Sequence, residues 1–398
     1  MSGDAAQALR RALVEHLRAK GVLHEPRLAA AFLAVPRERF LPGRPLDEVY
    51  DDQAVVVKRE GDVAVSSSSQ PSMMALMLEQ LQPQEGERIL EIGTGSGYNA
   101  ALLGMLAGAS GVVRSLEIDP DLAEAARSRF PADEGNVEIR TADAESCAFA
   151  ENFDRVIVTA AAGEISPAWF AALRDGGRLV VPLELGTLQM SVAFDRDGAR
   201  LRSKSSVGAL FMPLRGAAPH RGRCERIGDA PLILVRTAGP GAPDPEATWQ
   251  RLLEGGTRAG GLALDEREAE ELTAWLDVHD ARFCVVSAAG PAVTLGLVPN
   301  LIERGAGAGG SVAFAAGLWT AGGFALLEMS KEGAFVRVYG DAAAGDALRE
   351  AIAAWRACGS PGAGRLRVVV GFAGDHPESG PNDVTLVRDR STMVLSWS

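Results

Sequence analysis

Apolar positions at the start of the chain recur on one side of a helix. Leu9, Leu13, Val14 and Leu17 fall together with charges opposite, so residues 7–20 read as an amphipathic helix. A second helix is expected over 25–34. It stops at Val35-Pro36, because a residue before proline is pushed out of the α region. From Pro42 to Ser72 the chain is polar and irregular, with strand-like runs at 54–57 and 63–65, before an apolar helix over 73–80. The period then changes. Short apolar runs at 88–92, 112–116, 137–140, 155–158 and 178–182 alternate with helical stretches. Strands separated by helices imply a doubly wound parallel sheet covered on both faces.

An antiparallel pair, 189–195 and 205–212, is expected to finish that sheet. Beyond Arg226 the pattern changes again. Strands are expected at 232–236, 282–286, 335–338, 366–371 and 393–397, and helices at 265–277 and 341–357, the latter closed by Gly359. Gly239-Pro240-Gly241 marks a turn-rich join. The division expected is an α/β domain over 1–225 and a smaller α+β domain over 226–398.

Composition narrows the class. A chain of 398 residues suggests two or three domains. With 47% hydrophobic and 23% charged residues it reads as folded and soluble. A net charge of -12 argues against a nucleic-acid partner, which needs a basic face. Cys147, Cys224, Cys284 and Cys358 lie far apart, as reduced thiols of a cytoplasmic protein do. The five histidines are equally scattered, so no metal site assembles from local spacing. Charges at Arg10, Arg11, Glu15, Arg18 and Lys20 stand where a signal peptide needs an apolar core. The uncharged stretches 283–302 and 305–327 are long enough to span a membrane, but their glycines and prolines read as buried strands and turns. Few lysines among many arginines, with abundant Ala and Gly, suggest a GC-rich bacterial genome.

The run 88–92 is followed by Gly93-Thr-Gly-Ser-Gly97 and a helix. Glycines at such a turn let backbone approach a ligand with no Cβ in the way. A dinucleotide fingerprint, G-x-G-x-x-G, would place its third glycine where Tyr98 stands, and no Walker lysine follows. The form present, Glu91-x-Gly93-x-Gly95-x-Gly97, resembles the first motif of class I S-adenosylmethionine-dependent methyltransferases. That resemblance implies Glu117, at the end of the next strand, on the ribose hydroxyls and Asp143 near the adenine. It also implies a metal-free reaction that leaves S-adenosylhomocysteine. Amino-methyltransferases of bases carry N/D-P-P-Y/F after the fourth strand, whereas this chain reads Val158-Thr-Ala-Ala-Ala162.

A more specific set occurs in order: Val35-Pro-Arg-Glu-Arg-Phe40, Tyr50-x-Asp52, Ser69-x-Pro71, Glu91–Gly97, Thr159–Ala162, Gly176-Gly-Arg-Leu-Val-Val-Pro182 and Phe211-Met-Pro213. Together they resemble the protein-L-isoaspartate O-methyltransferase family over nearly all of 1–225. The resemblance implies Ser69 as the catalytic residue between cofactor and acceptor carboxylate. It implies a cofactor site of Ser68, Glu91, Gly93, Thr94, Gly95, Gly97, Glu117, Ile118, Asp143 and Ala144, with Ser67, Ser72 and Phe211 on the acceptor side.

Two departures stand out. The repair enzymes commonly read S-A-P-H, where this chain has Ser69-Gln70-Pro71-Ser72 in a four-serine run, and they usually end near Arg226. Both features resemble the branch associated with ribosomally made, modified peptides (lanthipeptides, graspetides and lasso peptides). Its members methylate an aspartate of a precursor peptide, and the ester closes to aspartimide. Three functions are thus carried forward. The first is that peptide-tailoring activity, with 226–398 recognising the modified precursor peptide. The others are isoaspartyl repair with an added domain, and a non-catalytic cofactor-binding regulator. Trp319, Trp355 and Trp397 are expected in the core rather than on a peptide.

Overall fold

The computed structural model describes residues 2–61, 63–131, 135–147, 149, 151–216, 223–228, 233–237, 243–301, 304–307 and 310–397. The first helix, Ser2–Ala19, buries Leu13, Val14 and Leu17. Helix Pro26–Ala34 starts at Glu25, whose carboxylate accepts the Arg27 N–H, and ends at Val35, held extended ahead of Pro36. The stretch read as irregular holds a short helix, Leu46–Tyr50, and an antiparallel hairpin of Val55–Glu60 with Val63–Ser68. Next comes the apolar helix, Pro71–Leu81.

The larger sheet has ten strands among the described residues. Its parallel half runs, edge to centre, Val137–Thr141, Val112–Glu117, Arg88–Ile92, Phe153–Val158 and Leu173–Glu184. Strand order reverses between Arg88–Ile92 and Phe153–Val158. The crevice at the carboxyl ends of strands at such a switch point is where open α/β sheets bind ligands. This is the class I methyltransferase fold. Antiparallel strands Gln189–Asp197 and Arg200–Ala209 continue the sheet, the second beginning and ending earlier than the expected 205–212 because the chain leaves the sheet after Ala209 to dock beside Ala161.

Three further strands come from the far end of the chain. Leu366–Phe372 pairs with Arg200–Ala209, then Ser391–Trp397 and Val384–Val387 follow outward. Val368, Val370, Met393 and Leu395 are buried in one core with Leu179 and Phe194. A border at 225 therefore does not divide the sheets, since strands read as part of the accessory unit complete the first one. Strand pairing between such distant segments leaves no local trace in sequence.

The second sheet is antiparallel, in the order Arg223–Ile227, Ile233–Thr237, Phe283–Ala289, Gly310–Thr320, Gly323–Ser330, Gly333–Gly340 and Thr257–Leu262. Helices Glu266–His279 and Ala342–Ala357 pack on it, burying Leu272, Leu276, Leu348 and Trp355. The uncharged stretch 305–327 is mostly a hairpin inside this sheet. No described helix is long and apolar enough to cross a membrane. Trp355 is fully buried, while Trp319 and Trp397 are partly buried against core clusters. The join expected at Gly239–Gly241 lies outside the described residues.

The two sheets are tied together at Asp277. This carboxylate accepts the Thr187 and Leu188 N–H groups at 2.5 and 3.0 Å, and burial pushes its pKa up to about 7. A Cβ on Gly186 would lie 2.5 Å from the Asp277 carbonyl, so only glycine permits this approach.

Candidate active site

At the switch point the glycine loop is held by its neighbours on both sides. Gly93 lies at φ +97°, and a Cβ there would sit 2.5 Å from Thr159 Oγ1. That hydroxyl donates to the Gly93 carbonyl at 2.6 Å, so the end of the fourth parallel strand pins the loop. Gly93 and Thr94 N–H groups both donate to the Leu116 carbonyl. The Gly95 N–H donates to Glu117 Oε2 at 2.9 Å, and Gly97, left-handed at φ +88°, leads into helix Tyr98–Ala107.

Glu91 lies beneath this loop rather than on the cavity. It is fully buried, accepts from Asn99 Nδ2 at 2.8 Å and from Ser115 Oγ, and burial pushes its pKa up to about 7. Gly97 and Ser72 are also absent from the cavity lining. The other residues expected at the site do line it: Ser67, Ser68, Ser69, Gly93, Thr94, Gly95, Glu117, Ile118, Asp143, Ala144 and Phe211.

The carboxylate side of the cavity is bridged by cations that have no local signature in sequence. Arg215 lies 3.7 Å from Glu117 and 3.6 Å from Asp119. Lys58 donates to Asp119 and holds that carboxyl below its ordinary range. The segment after Ala209 reaches this position by docking alongside the end of strand Phe153–Val158. Ala161 N–H donates to the Met212 carbonyl, and Leu214 N–H donates to that of Ala161. Gln189 fixes Phe211 at both ends, accepting its N–H at 2.6 Å and donating to its carbonyl at 3.2 Å.

The serine run lines the same cavity next to the glycine loop, where a Cβ on Gly95 would lie 3.4 Å from the Ser67 carbonyl oxygen. Arg37, fully buried, donates to the carbonyls of Ser69, Gln53 and Asp51, the first at 3.1 Å. Asp52 accepts the Ser72 N–H at 2.8 Å and its hydroxyl, so a distant carboxylate caps the first turn of helix Pro71–Leu81. Burial works against the Asp52 charge, yet hydrogen bonds from Lys20 and Ser72 hold its pKa below the usual carboxylate range. Ser69 Oγ has no hydrogen-bond partner among the described residues, although its backbone is fixed. The motifs that contain Arg37 and Asp52 were visible in sequence, but their grip on residues 69–72 was not.

These walls enclose a cavity of about 1350 Å³ that continues to the second unit, where Arg236, Arg267, Leu301 and Phe314 line it. A nucleoside cofactor fits its inner end. Gly93 and Gly95, both half-buried, line it with Thr94. The Glu117 carboxylate stands at a strand end, and Ser68 Oγ is buried with no partner among the described residues. Also among the described residues, no group of three or more His, Cys, Asp or Glu is placed to hold a metal ion.

The family model described as protein-L-isoaspartate(D-aspartate) O-methyltransferase matches residues 8–218. The chain belongs to this family. It is an S-adenosylmethionine-dependent protein carboxyl O-methyltransferase. Among its relatives is protein-L-isoaspartate O-methyltransferase 1 of Anaeromyxobacter sp. (strain Fw109-5), 40% identical over 202 residues, which cover 49% of this chain and 91% of the relative. The enzyme of that family name from Methanocella arvoryzae is 36% identical over 191 residues, 47% of this chain and 98% of the relative. A solved structure named protein-L-isoaspartate O-methyltransferase is similar at TM-score 0.50 and 24% identity, covering 91% of this chain and 96% of that one. Its likeness is one of fold, and it extends well past Arg226. Length beyond Arg226 therefore does not separate the chain from proteins of that name.

Proposed function

We propose that this methyltransferase acts on the free carboxylate of L-isoaspartyl residues in proteins and peptides. The observation that carries the acceptor class is Ser69 Oγ, unpartnered among the described residues, on a backbone clamped by Arg37 and lining the same cavity as the glycine loop. The isoaspartyl specificity is supported by the relatives, whose names state it.

The chemistry suits so sparse a site. A carboxylate of pKa about 4 is already an anion at pH 7, so no general base is required. Held along the glycine loop and at Glu117, S-adenosylmethionine would supply an electrophilic methyl group to the carboxylate oxygen and would leave as S-adenosylhomocysteine. Ser69 holds the second carboxylate oxygen by donating a hydrogen bond and fixes the direction of approach. Such positioning is worth up to ~7–11 kcal/mol. Phe211 and Met73 line the same cavity and give the anion apolar neighbours. After release, the next backbone nitrogen attacks the ester, expels methanol and closes a succinimide.

A second reading, methylation of a normal aspartate in a ribosomal precursor peptide with closure to aspartimide, is favoured by one observation. Walls from the second unit extend the cavity beyond what cofactor and one residue need. One experiment separates the two. Labelled S-adenosylmethionine is supplied with paired peptides that differ only in an aspartyl or isoaspartyl linkage, and with the precursor peptide encoded beside the gene, should one exist. Base-labile label on the isoaspartyl member alone is the expected result. Label on the normal aspartate of a precursor overturns the repair reading, and label on nitrogen overturns both.

A further inference from the structure

We propose that Lys20 is the cation that docks the acceptor carboxylate, an inference that rests on the carboxylate-acceptor reading above. Lys20 follows the first helix and lines the same cavity as Ser69, Gln53, Gln70 and Met73. Its Nζ donates to Asp52 Oδ2 at 2.8 Å and to Ser72 Oγ at 3.1 Å. An ammonium has three donors. Two are used in this way, and the third has no acceptor among the described residues, on a side chain that is 45% exposed.

Asp52 does not need Lys20 for its position. Both of its oxygens are held by Ser72, one by the N–H and one by the hydroxyl, and His16 Nε2 stands 3.5 Å away. Asp52 and Ser72 thus form a base on which the ammonium rides. The same base carries Ser69, since Gln70 Nε2 donates to the Asp52 carbonyl at 2.9 Å and Arg37 bridges residues 51, 53 and 69. The other cations on the cavity lie elsewhere. Arg215 sits on Glu117 and Asp119, Arg267 pairs with Glu271, and Arg236 comes from the second sheet. Among the described cations that line the cavity, Lys20 is the one bonded to Asp52 and Ser72.

Serine at position 72 makes this arrangement possible. It is 5% exposed and turned to Asp52, so a ring at that position would take the space in which the ammonium lies. Position 72 thus offers a small hydroxyl, and the charge comes from Lys20, just after the first helix. The charge also dictates what Lys20 contributes. The acceptor is an anion before transfer and a neutral ester afterwards, so its attraction to an ammonium is strongest in the bound ground state and fades along the reaction. Lys20 therefore serves capture of the acid and release of the ester, and Ser69 serves alignment.

The test uses the full chain with Lys20→Met, Lys20→Arg and, as a distant charge control, Lys331→Met. Steady-state kinetics with the best carboxylate peptide should show Lys20→Met raising the peptide KM about tenfold or more, with kcat equal to that of wild type or higher. The KM for S-adenosylmethionine should not move, Lys20→Arg should recover most of the loss, and Lys331→Met should match wild type. A second measurement needs no turnover. Equilibrium binding to protein saturated with S-adenosylhomocysteine should favour the acid peptide over its methyl ester in wild type, and that preference should vanish in Lys20→Met. An unchanged peptide KM or an unchanged acid preference overturns the proposal and leaves Lys20 as a brace for Asp52. If wild type methylates no carboxylate in any peptide, the underlying reading falls instead, and with it this one.

Discussion

Arg390, in the turn before the last strand, donates to Glu145, two residues beyond Asp143 at the cofactor end of the cavity. Its Nε also donates to Glu164 Oε1 at 2.6 Å, and its backbone N–H donates to Glu164 Oε2 at 3.1 Å. Both glutamate side chains are 1% exposed, whereas Arg390 is 31% exposed. One guanidinium thus pairs with two buried carboxylates beside the turn that carries Asp143.

Arg390→Met should leave both carboxylates buried without their cation. Breaking a buried pair costs ~3–5 kcal/mol, and the partial exposure of Arg390 reduces this to about 2–3 kcal/mol. Denaturant unfolding should show that loss, and calorimetry should show weaker cofactor binding, because the turn at 143–145 loses its outer support. Unchanged cofactor affinity in a destabilised variant would confine Arg390 to holding the sheet.

Ser69→Ala should lower kcat/KM for the peptide about 10- to 100-fold, the loss of a hydrogen bond to a charged group. Cofactor affinity and melting temperature should stay at wild-type values, because the hydroxyl has no partner among the described residues. A variant that turns over at the wild-type rate would remove Ser69 from the chemistry.

Glu117→Gln should weaken S-adenosylmethionine binding about tenfold while preserving the fold. The amide oxygen can still accept the Gly95 N–H that Glu117 accepts at 2.9 Å, but the charge facing Arg215 and the second acceptor for a ribose hydroxyl are lost. Titration calorimetry reads the affinity directly. Equal affinity would place the ribose away from this carboxylate.

Glu91 gives a prediction in pH. Burial raises its pKa in the folded chain to about 7 from an ordinary 4.5, so the folded state holds a proton that the unfolded state has released. Its contribution is fully present below the unfolded pKa and is lost as pH rises through about 7. Glu91→Gln cannot titrate. Its stability relative to wild type should therefore improve between pH 5 and pH 8 by about 2–3 kcal/mol, read from urea midpoints at each pH. A difference that does not change with pH would mean that Glu91 keeps its charge on folding.

The sequence by itself determined the doubly wound half of the sheet and the position of its glycine loop. Alternation of apolar runs, glycine spacing and proline stops act between near neighbours, and 88–97 or 26–35 carry that information locally. Glu117 ends strand Val112–Glu117 and Asp143 follows strand Val137–Thr141, and both line the cavity. What only the tertiary structure decided are contacts between segments that share no local pattern. Glu91 belongs to the motif but lies under the loop, and Ser72 belongs to the serine run but turns away to Asp52. The last three strands close the first sheet, and Arg390 reaches Glu145 across 245 residues. Side-chain period tells a residue which face it takes, whereas the partner on that face is set by how distant elements pack. In the sequence Lys20 ends the first helix and is one of the charges that argue against a signal peptide, whereas folding sets it against Asp52 and Ser72 on the cavity lining.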